Sequence, residues 1–251
     1  MLKGAGYSVP YAVVASGMVR VEGKIFSKSR GYVIWVEEDY LDNGLDPDAL
    51  RYYVASYTGH TRDLDFSWRT YGEKVNKELV GALGNFLYRT ILFTRRNYGS
   101  VPEGDVEPEV RAEVEAALET IRDGLDGYEF KKIADAVIAL AAFGNRYMQA
   151  REPWRARKTD PEKARKAIHN CLWLAKAIAV VMEPVMPAKA EALWSQLIGE
   201  ARENVPLSEA LEPLQPGREL GEPTPLFDKV SEEEIDRLTD IVSRRIEEAR
   251  G

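Results

Sequence analysis

Val75-Asn-Lys-Glu-Leu79-Val-Gly-Ala-Leu83-Gly-Asn-Phe86-Leu87-Tyr-Arg-Thr-Ile91-Leu92 is the stretch that decides the fold. Its apolar residues fall three and four apart, so they share one face of a helix. Toward the C-terminus the same spacing recurs. Ile133, Val137, Leu140, Ala141, Gly144, Tyr147 and Met148 form a second stripe, which Pro153 ends. Ala164, Ile168, Cys171, Leu172, Ala175, Ile178 and Met182 form a third. Asp160-Pro161 opens it, a capping acid before a proline at the first helical position. Between the first two stripes, Gly99 to Pro108 is a break and an acidic helix runs from about Glu109 to Arg122. Two prolines break the chain at 182–187, and a helix follows around Lys189–Leu197. A loop rich in proline and glutamate crosses 205–225. Ser231 starts the last helix, with Glu234 three residues on as a capping box. The expected fold is mainly α, an antiparallel helix bundle over 71–251.

Upstream of the bundle the pattern changes. Tyr11–Arg20 is short, apolar and β-branched, which predicts a buried strand. Val21-Glu-Gly-Lys24 predicts a turn, and Tyr32–Val36 a second short strand. Asp46-Pro47 predicts a helix through Tyr53. A lone buried strand needs a sheet, so a segment N-terminal to this one, or a partner chain, is expected to supply it.

Composition narrows the class. Hydrophobic residues are 45% and charged residues 30%, which predicts a globular rather than a disordered chain. Cys171 is the single cysteine, which excludes an internal disulfide and a multi-cysteine zinc site. No apolar run approaches the roughly 20 residues of a membrane span. Met1–Gly6 lacks the features of a signal peptide. The expectation is a soluble, cytoplasmic protein with no membrane partner. His60 and His169 have no matching cysteine or carboxylate spacing and are expected to be ordinary polar residues.

The net charge of -7 argues against a nucleic-acid partner until it is mapped. Segment 101–126 holds nine acids against two arginines, the whole formal excess. Segment 145–170 holds eight basic residues against three acids, and segment 85–100 has Arg89, Arg95 and Arg96 with no acid. Such runs are ordinarily solvated helix faces. These two also carry Phe86, Tyr88, Phe93, Tyr98, Tyr147 and Trp154. Basic residues interleaved with aromatics make a candidate surface for phosphates and bases.

The stretch Gly23-Lys24-Ile25-Phe26-Ser27-Lys28-Ser29-Arg30-Gly31 is a polar loop. A lysine ammonium can neutralise charge on a leaving phosphate, and hydroxyls and loop amides can donate to its oxygens. An ordinary polar turn is the commoner meaning of such a tripeptide. Context narrows it. The run from Met1-Leu-Lys-Gly through Gly17-Met-Val-Arg-Val-Glu-Gly to Phe26-Ser-Lys-Ser-Arg-Gly31 resembles the end of the catalytic domain of methionyl-tRNA synthetases. Asp46–Tyr53 and Asp63-Leu-Asp-Phe66 are similar to that family's stem-contact module. Val75–Gly81 is similar to the first helix of its bundle, and Gly221–Phe227 to the close of its common core.

The resemblance implies three parts. Residues 1–31 would be the edge of a Rossmann-like α/β catalytic domain with the ATP-gripping KMSKS loop. Residues 32–70 would be a stem-contact linker, and 71–251 the helical-bundle anticodon-binding domain. Ser27, Lys28 and Ser29 match the loop's last three positions. Phe26 takes the second. Ile25 takes the first, usually basic, with Lys24 one place before it. The implied substrate is ATP with Mg2+, and no metal bound by this chain is expected.

Asn85 and Arg89 lie four apart on one helix face, and Trp154 follows Pro153 amid basic residues. Amide, guanidinium and indole can bond or stack unpaired bases. Taken alone, Asn85 and Arg89 read more readily as helix-surface polar residues and Trp154 as a core aromatic. The resemblance implies that Asn85, Arg89 and the Pro153-Trp154 step read the CAU anticodon of methionine tRNA. The family's HIGH-type motif and zinc-knuckle insertion are not in this sequence. The chain is therefore expected to be inactive alone, needing an N-terminal catalytic half from the same gene or a separate chain. A non-catalytic tRNA-binding module is the alternative. The anticodon domain of a synthetase for leucine, isoleucine, valine or cysteine is a weaker one, against which the Asn85, Arg89 and Trp154 set argues.

Overall fold

In the computed structural model, residues 1–57, 59 and 62–249 are described; His60 lies outside them. No helix among these residues is long and apolar enough to cross a membrane. The chain is mainly helical with one small sheet. Strands β1 (Val19–Val21), β2 (Lys24–Ile25) and β3 (Leu64–Phe66) lie in the order β2-β1-β3. β1 and β2 form an antiparallel hairpin with Val21 opposite Lys24. Glu22 and Gly23 at its tip have φ of 49° and 73°. Positive φ at both central residues marks a turn whose twist matches the strands, which is why glycine stands there. β3 runs parallel to β1, Val19 opposite Leu64 and Val21 opposite Phe66.

Two expectations fail here. The strand predicted over Tyr11–Arg20 forms only from Val19, and Tyr11, Val13 and Val14 are exposed. A strand persists where backbone partners lie alongside, and the described residues offer them to 17–21 but not to 11–16. That short strand does have a sheet within this chain, through Asp63-Leu-Asp-Phe66. Tyr32–Val36 is not a strand either. Tyr32 makes a single bridge to Ser27. A wide helical turn, Val36–Leu41, then begins. Asp39 drives it, because its carboxylate accepts the Trp35 N–H at 2.7 Å and draws the backbone into a local loop.

The helices follow the apolar stripes. They are α1 (Pro47–Tyr57), α2 (Trp68–Lys74), α3 (Asn85–Asn97), α4 (Pro108–Asp126), α5 (Phe130–Arg151), α6 (Pro153–Thr159), α7 (Pro161–Val181), α8 (Pro187–Ile198) and α9 (Glu232–Glu248). α2 and α3 are joined by a wide-pitched helical segment, Val75–Gly84. Both predicted caps form, Asp160 accepting from Lys163 N and Ser231 from Glu234 N, and Ser67, which the sequence reading did not single out, accepts from Thr70 N. α7 departs from its predicted single stripe, because from Ala167 to Val181 every residue is buried. It is the central helix, wrapped by α3, α4, α5, α6 and α8. Cys171 is fully buried in it, and burial pushes its thiol pKa up. Lys176, also buried, pairs with Glu209 and donates to the Glu212 carbonyl at 2.9 Å.

Two sets stand out among the contacts that join residues 18–66 to the bundle, beside bonds such as Arg51 to the Val185 carbonyl and the Lys189 N–H to Asp48. One is aromatic: Tyr40, Tyr53, Phe66, Trp68 and Tyr71 pack as stacked and edge-on pairs 5.1–6.4 Å apart. The Tyr40 hydroxyl donates to the Asp46 carbonyl at 2.6 Å, so the Tyr71 hydroxyl donates to Tyr40, also at 2.6 Å. The other is ionic. Arg245 of α9 makes a two-pronged pair with Asp39 at 2.7 and 2.6 Å and donates to the Val33 carbonyl at 3.1 Å.

Candidate nucleic-acid interface and phosphate loop

The sequence separates Arg89 and Trp154 by the rest of α3 and the whole of α4 and α5, and packing brings them together. α3 and α5 approach closely because Gly144 has no side chain. A Cβ there would stand 2.4 Å from the Phe86 ring. The neighbours of that contact are Asn85 and Asn145. The Asn85 amide nitrogen donates to Asn145 Oδ1 at 3.3 Å. Asn145 carries no role in the sequence reading. Its only signal was position, one residue after the glycine that lets the helices touch.

α5 ends at Arg151. Glu152, with φ 42° and ψ 55°, turns the chain in a left-handed conformation, and Pro153 opens α6. The sequence predicted only an ending at Pro153. The proline also starts a new helix, since its fixed φ suits a first helical position and its missing N–H costs nothing there. Trp154 therefore sits in the first turn of α6, half-buried against the core. The Arg89 guanidinium lies over its ring, 5.8 Å from the centroid. Arg157 further along α6 bonds Asn97 at the C-terminal end of α3. Asn85 and Arg89 are exposed one turn apart. Amide, guanidinium and indole thus line one surface.

The charge around them sorts into two groups. Arg151 pairs with Glu107 and Glu109, Arg155 with Glu152 at 2.8 Å, and Arg95 with Glu222 at 2.8 Å. The acidic lead-in to α4 is thereby tied to the C-terminal end of α5. His169 and Asn170 of α7 hold the same lead-in. Asn170 donates to the Asp105 carbonyl at 2.9 Å and accepts the Glu107 N–H at 2.9 Å. His169 Nδ1 lies 3.0 Å from the Pro102 carbonyl, and burial lowers its pKa. The histidine is therefore a structural residue. Among the described residues, Arg96, Arg146, Lys158, Lys163, Arg165 and Lys166 have no ion pair. They leave positive charge on α3, α5, α6 and the start of α7.

The second candidate site is the hairpin and the turn after it. Lys24 lies on β2, exposed, rather than in the loop. Ser27 N–H donates to the Tyr32 carbonyl at 2.8 Å, and Lys28–Arg30 form one tight helical turn. The Ser27 and Ser29 hydroxyls are 3.5 Å apart, and Arg30 Nε donates to Ser27 Oγ at 3.2 Å. The Lys28 ammonium lies over the Trp35 ring, 5.0 Å from its centroid. Gly31 closes the turn with φ 74°, and a Cβ there would stand 2.6 Å from the Arg245 carbonyl. The turn therefore rests directly on the C-terminal end of α9. Two hydroxyls, an ammonium and a guanidinium in one exposed turn make a donor set suited to a polyphosphate. Among the described residues no group of three or more potential metal-ligating side chains forms a cation site.

Comparison with known proteins gives consistent matches along the chain. Residues 1–91 match the family described as tRNA synthetases class I (M), and residues 99–244 the anticodon binding domain of methionyl tRNA ligase. A methionine–tRNA ligase of Methanosarcina mazei is 53% identical over 247 residues, covering 98% of this chain and 34% of the relative. One of Archaeoglobus fulgidus is 49% identical over 245 residues, covering 98% of this chain and 37% of the relative. The chain thus spans about a third of the length of the curated relatives it matches. The structure of free Mycobacterium tuberculosis methionyl-tRNA synthetase superposes with a TM-score of 0.77 at 23% identity, over 92% of this chain and 46% of that one. Its complex with methionyl-adenylate gives 0.78 at 23%, over 90% and 46%. At that identity the likeness concerns the fold.

Proposed function

The chain belongs to the methionyl-tRNA ligase family, and on that premise we propose that it is the tRNA-reading portion of such a ligase. Asn85, Arg89 and Trp154 read the CAU anticodon of methionine tRNA, and Pro153 sets the turn that presents the indole. The supporting observation is the Arg89 guanidinium over Trp154 at 5.8 Å, with exposed Asn85 one turn away. An unstacked base can stack on the indole or the guanidinium plane and bond its edge to the amide. The unpaired cations of α5, α6 and α7 supply sequence-independent attraction to phosphates.

In this proposal residues 1–31 carry the second function. Lys28 neutralises charge as pyrophosphate leaves ATP during methionine activation, and Ser27 and Ser29 donate to its oxygens. Lys24, on the neighbouring strand, adds a second ammonium. ATP is a substrate here, arriving with its Mg2+. Residues 32–70 act as the stem-contact linker and 71–251 as the anticodon-binding bundle. The partners are methionine tRNA and a HIGH-containing catalytic half, in the cytoplasm.

Trp154→Ala tests the reading. Base–aromatic stacking is worth about 1–3 kcal/mol per base, so the variant is expected to bind methionine tRNA at least about tenfold more weakly. Because Trp154 also packs against the core, the unfolding midpoint is measured on the same variant. Unchanged affinity in a fluorescence titration contradicts the assignment.

A further inference from the structure

We infer that Asn145 is a positioning residue for base reading, fixing which way the Asn85 amide faces. The inference rests on Asn85 being an anticodon contact. Asn145 stands on α5 opposite the start of α3. Its amide nitrogen donates to the Ala82 carbonyl at 2.9 Å and to the Ala141 carbonyl at 3.1 Å. Carbonyl oxygens only accept, so these two contacts identify the nitrogen side of the amide on chemical grounds. Both N–H protons are then used.

The Asn145 Oδ1 is left facing Asn85, 3.3 Å from its Nδ2. An amide oxygen cannot donate. Asn85 therefore turns its nitrogen toward Asn145, and its oxygen and second N–H remain for a base. An asparagine that can flip offers either order of donor and acceptor. One held in a single orientation offers a fixed order. It discriminates bases whose edges differ by exchange of an amino group for a carbonyl, as cytosine and uracil do. The relay begins at Ala82, in the wide-pitched segment between α2 and α3. The close packing of Phe86 on Gly144 brings Asn145 within reach.

The test uses this chain and anticodon stem-loop RNAs carrying CAU and each single-base substitution of it, read by fluorescence anisotropy. Asn145→Ala is expected to lower the preference for CAU by about tenfold at one anticodon position only. That position is the one at which Asn85→Ala acts. In the Asn85→Ala background, Asn145→Ala should add nothing. Asn145→Ser can still bond the carbonyl four residues back but is too short for Asn85, so it should relax the same position while preserving the fold. Equal weakening of all RNAs, or an unchanged preference, overturns the positioning role. If Asn85→Ala relaxes the preference and the Asn145 variants do not, this inference alone falls. If Asn85→Ala also leaves every preference unchanged, the anticodon reading falls with it.

Discussion

Arg245→Ala is expected to cost about 3–5 kcal/mol of folding stability, the usual result of stranding one member of a buried ion pair. Asp39 is the member stranded: its side chain is 3% exposed and its remaining bond is to the Trp35 N–H. The loss goes beyond one pair, because Arg245 also holds the Val33 carbonyl and its own backbone supports Gly31. Urea unfolding of the 251-residue chain measures the cost. Replacing Asp39 and Arg245 together with leucine and methionine should cost far less, since no buried charge is left without a partner. A change below about 1 kcal/mol for Arg245→Ala, the range of an exposed pair, contradicts this account of how α9 holds residues 31–41.

Lys28→Ala, in a complete ligase carrying this segment, is expected to slow methionine activation by about 10²–10³-fold. That is the typical effect of removing one preorganised charge stabiliser. The loss should fall on kcat more than on KM for ATP, because charge on the leaving pyrophosphate develops only as the bond breaks. The Lys28 ammonium lies over the Trp35 ring, 5.0 Å from its centroid, and is exposed. ATP–pyrophosphate exchange measures the effect. A change confined to KM would mean that Lys28 holds the ground state and the transition state equally, which contradicts its role at the leaving pyrophosphate.

The helices were legible because their signals are local. Apolar spacing at 75–92, the Asp160-Pro161 start and the Ser231 cap each depend on a few neighbouring residues, and each sits where the pattern put it. The strand over Tyr11–Arg20 was not legible in the same way. Its composition suits burial, but burial depends on a neighbour that local pattern cannot supply. Tyr32–Val36 failed for a different reason. Asp39 four residues downstream captures the Trp35 N–H and then pairs with Arg245, more than two hundred residues away. The all-round burial of α7 depends likewise on five helices surrounding it.

The candidate site divides along the same line. That Asn85 and Arg89 share one helix face follows from helical periodicity alone, while a role in base reading is what the family resemblance implies. That Trp154 lies beneath Arg89 depends on the left-handed turn at Glu152 and the glycine at 144, neither of which a spacing rule identifies. The role of Asn145 needs hydrogen-bond geometry. The charge map was legible only in outline: the basic run at 145–170 is positive, yet Arg151 and Arg155 in it are already paired with acids.

On the proposed function, this chain reads an anticodon. The most direct measurement titrates it with two stem-loop RNAs, the methionine anticodon stem-loop with its CAU scrambled and an unrelated stem-loop given CAU. Binding is expected to follow the three bases, since single-stranded RNA is read by its unstacked base edges. The unrelated stem-loop carrying CAU should then bind nearly as tightly as the native one, and the scrambled loop should fall to non-specific levels. Binding that follows the stem and ignores the anticodon would contradict it.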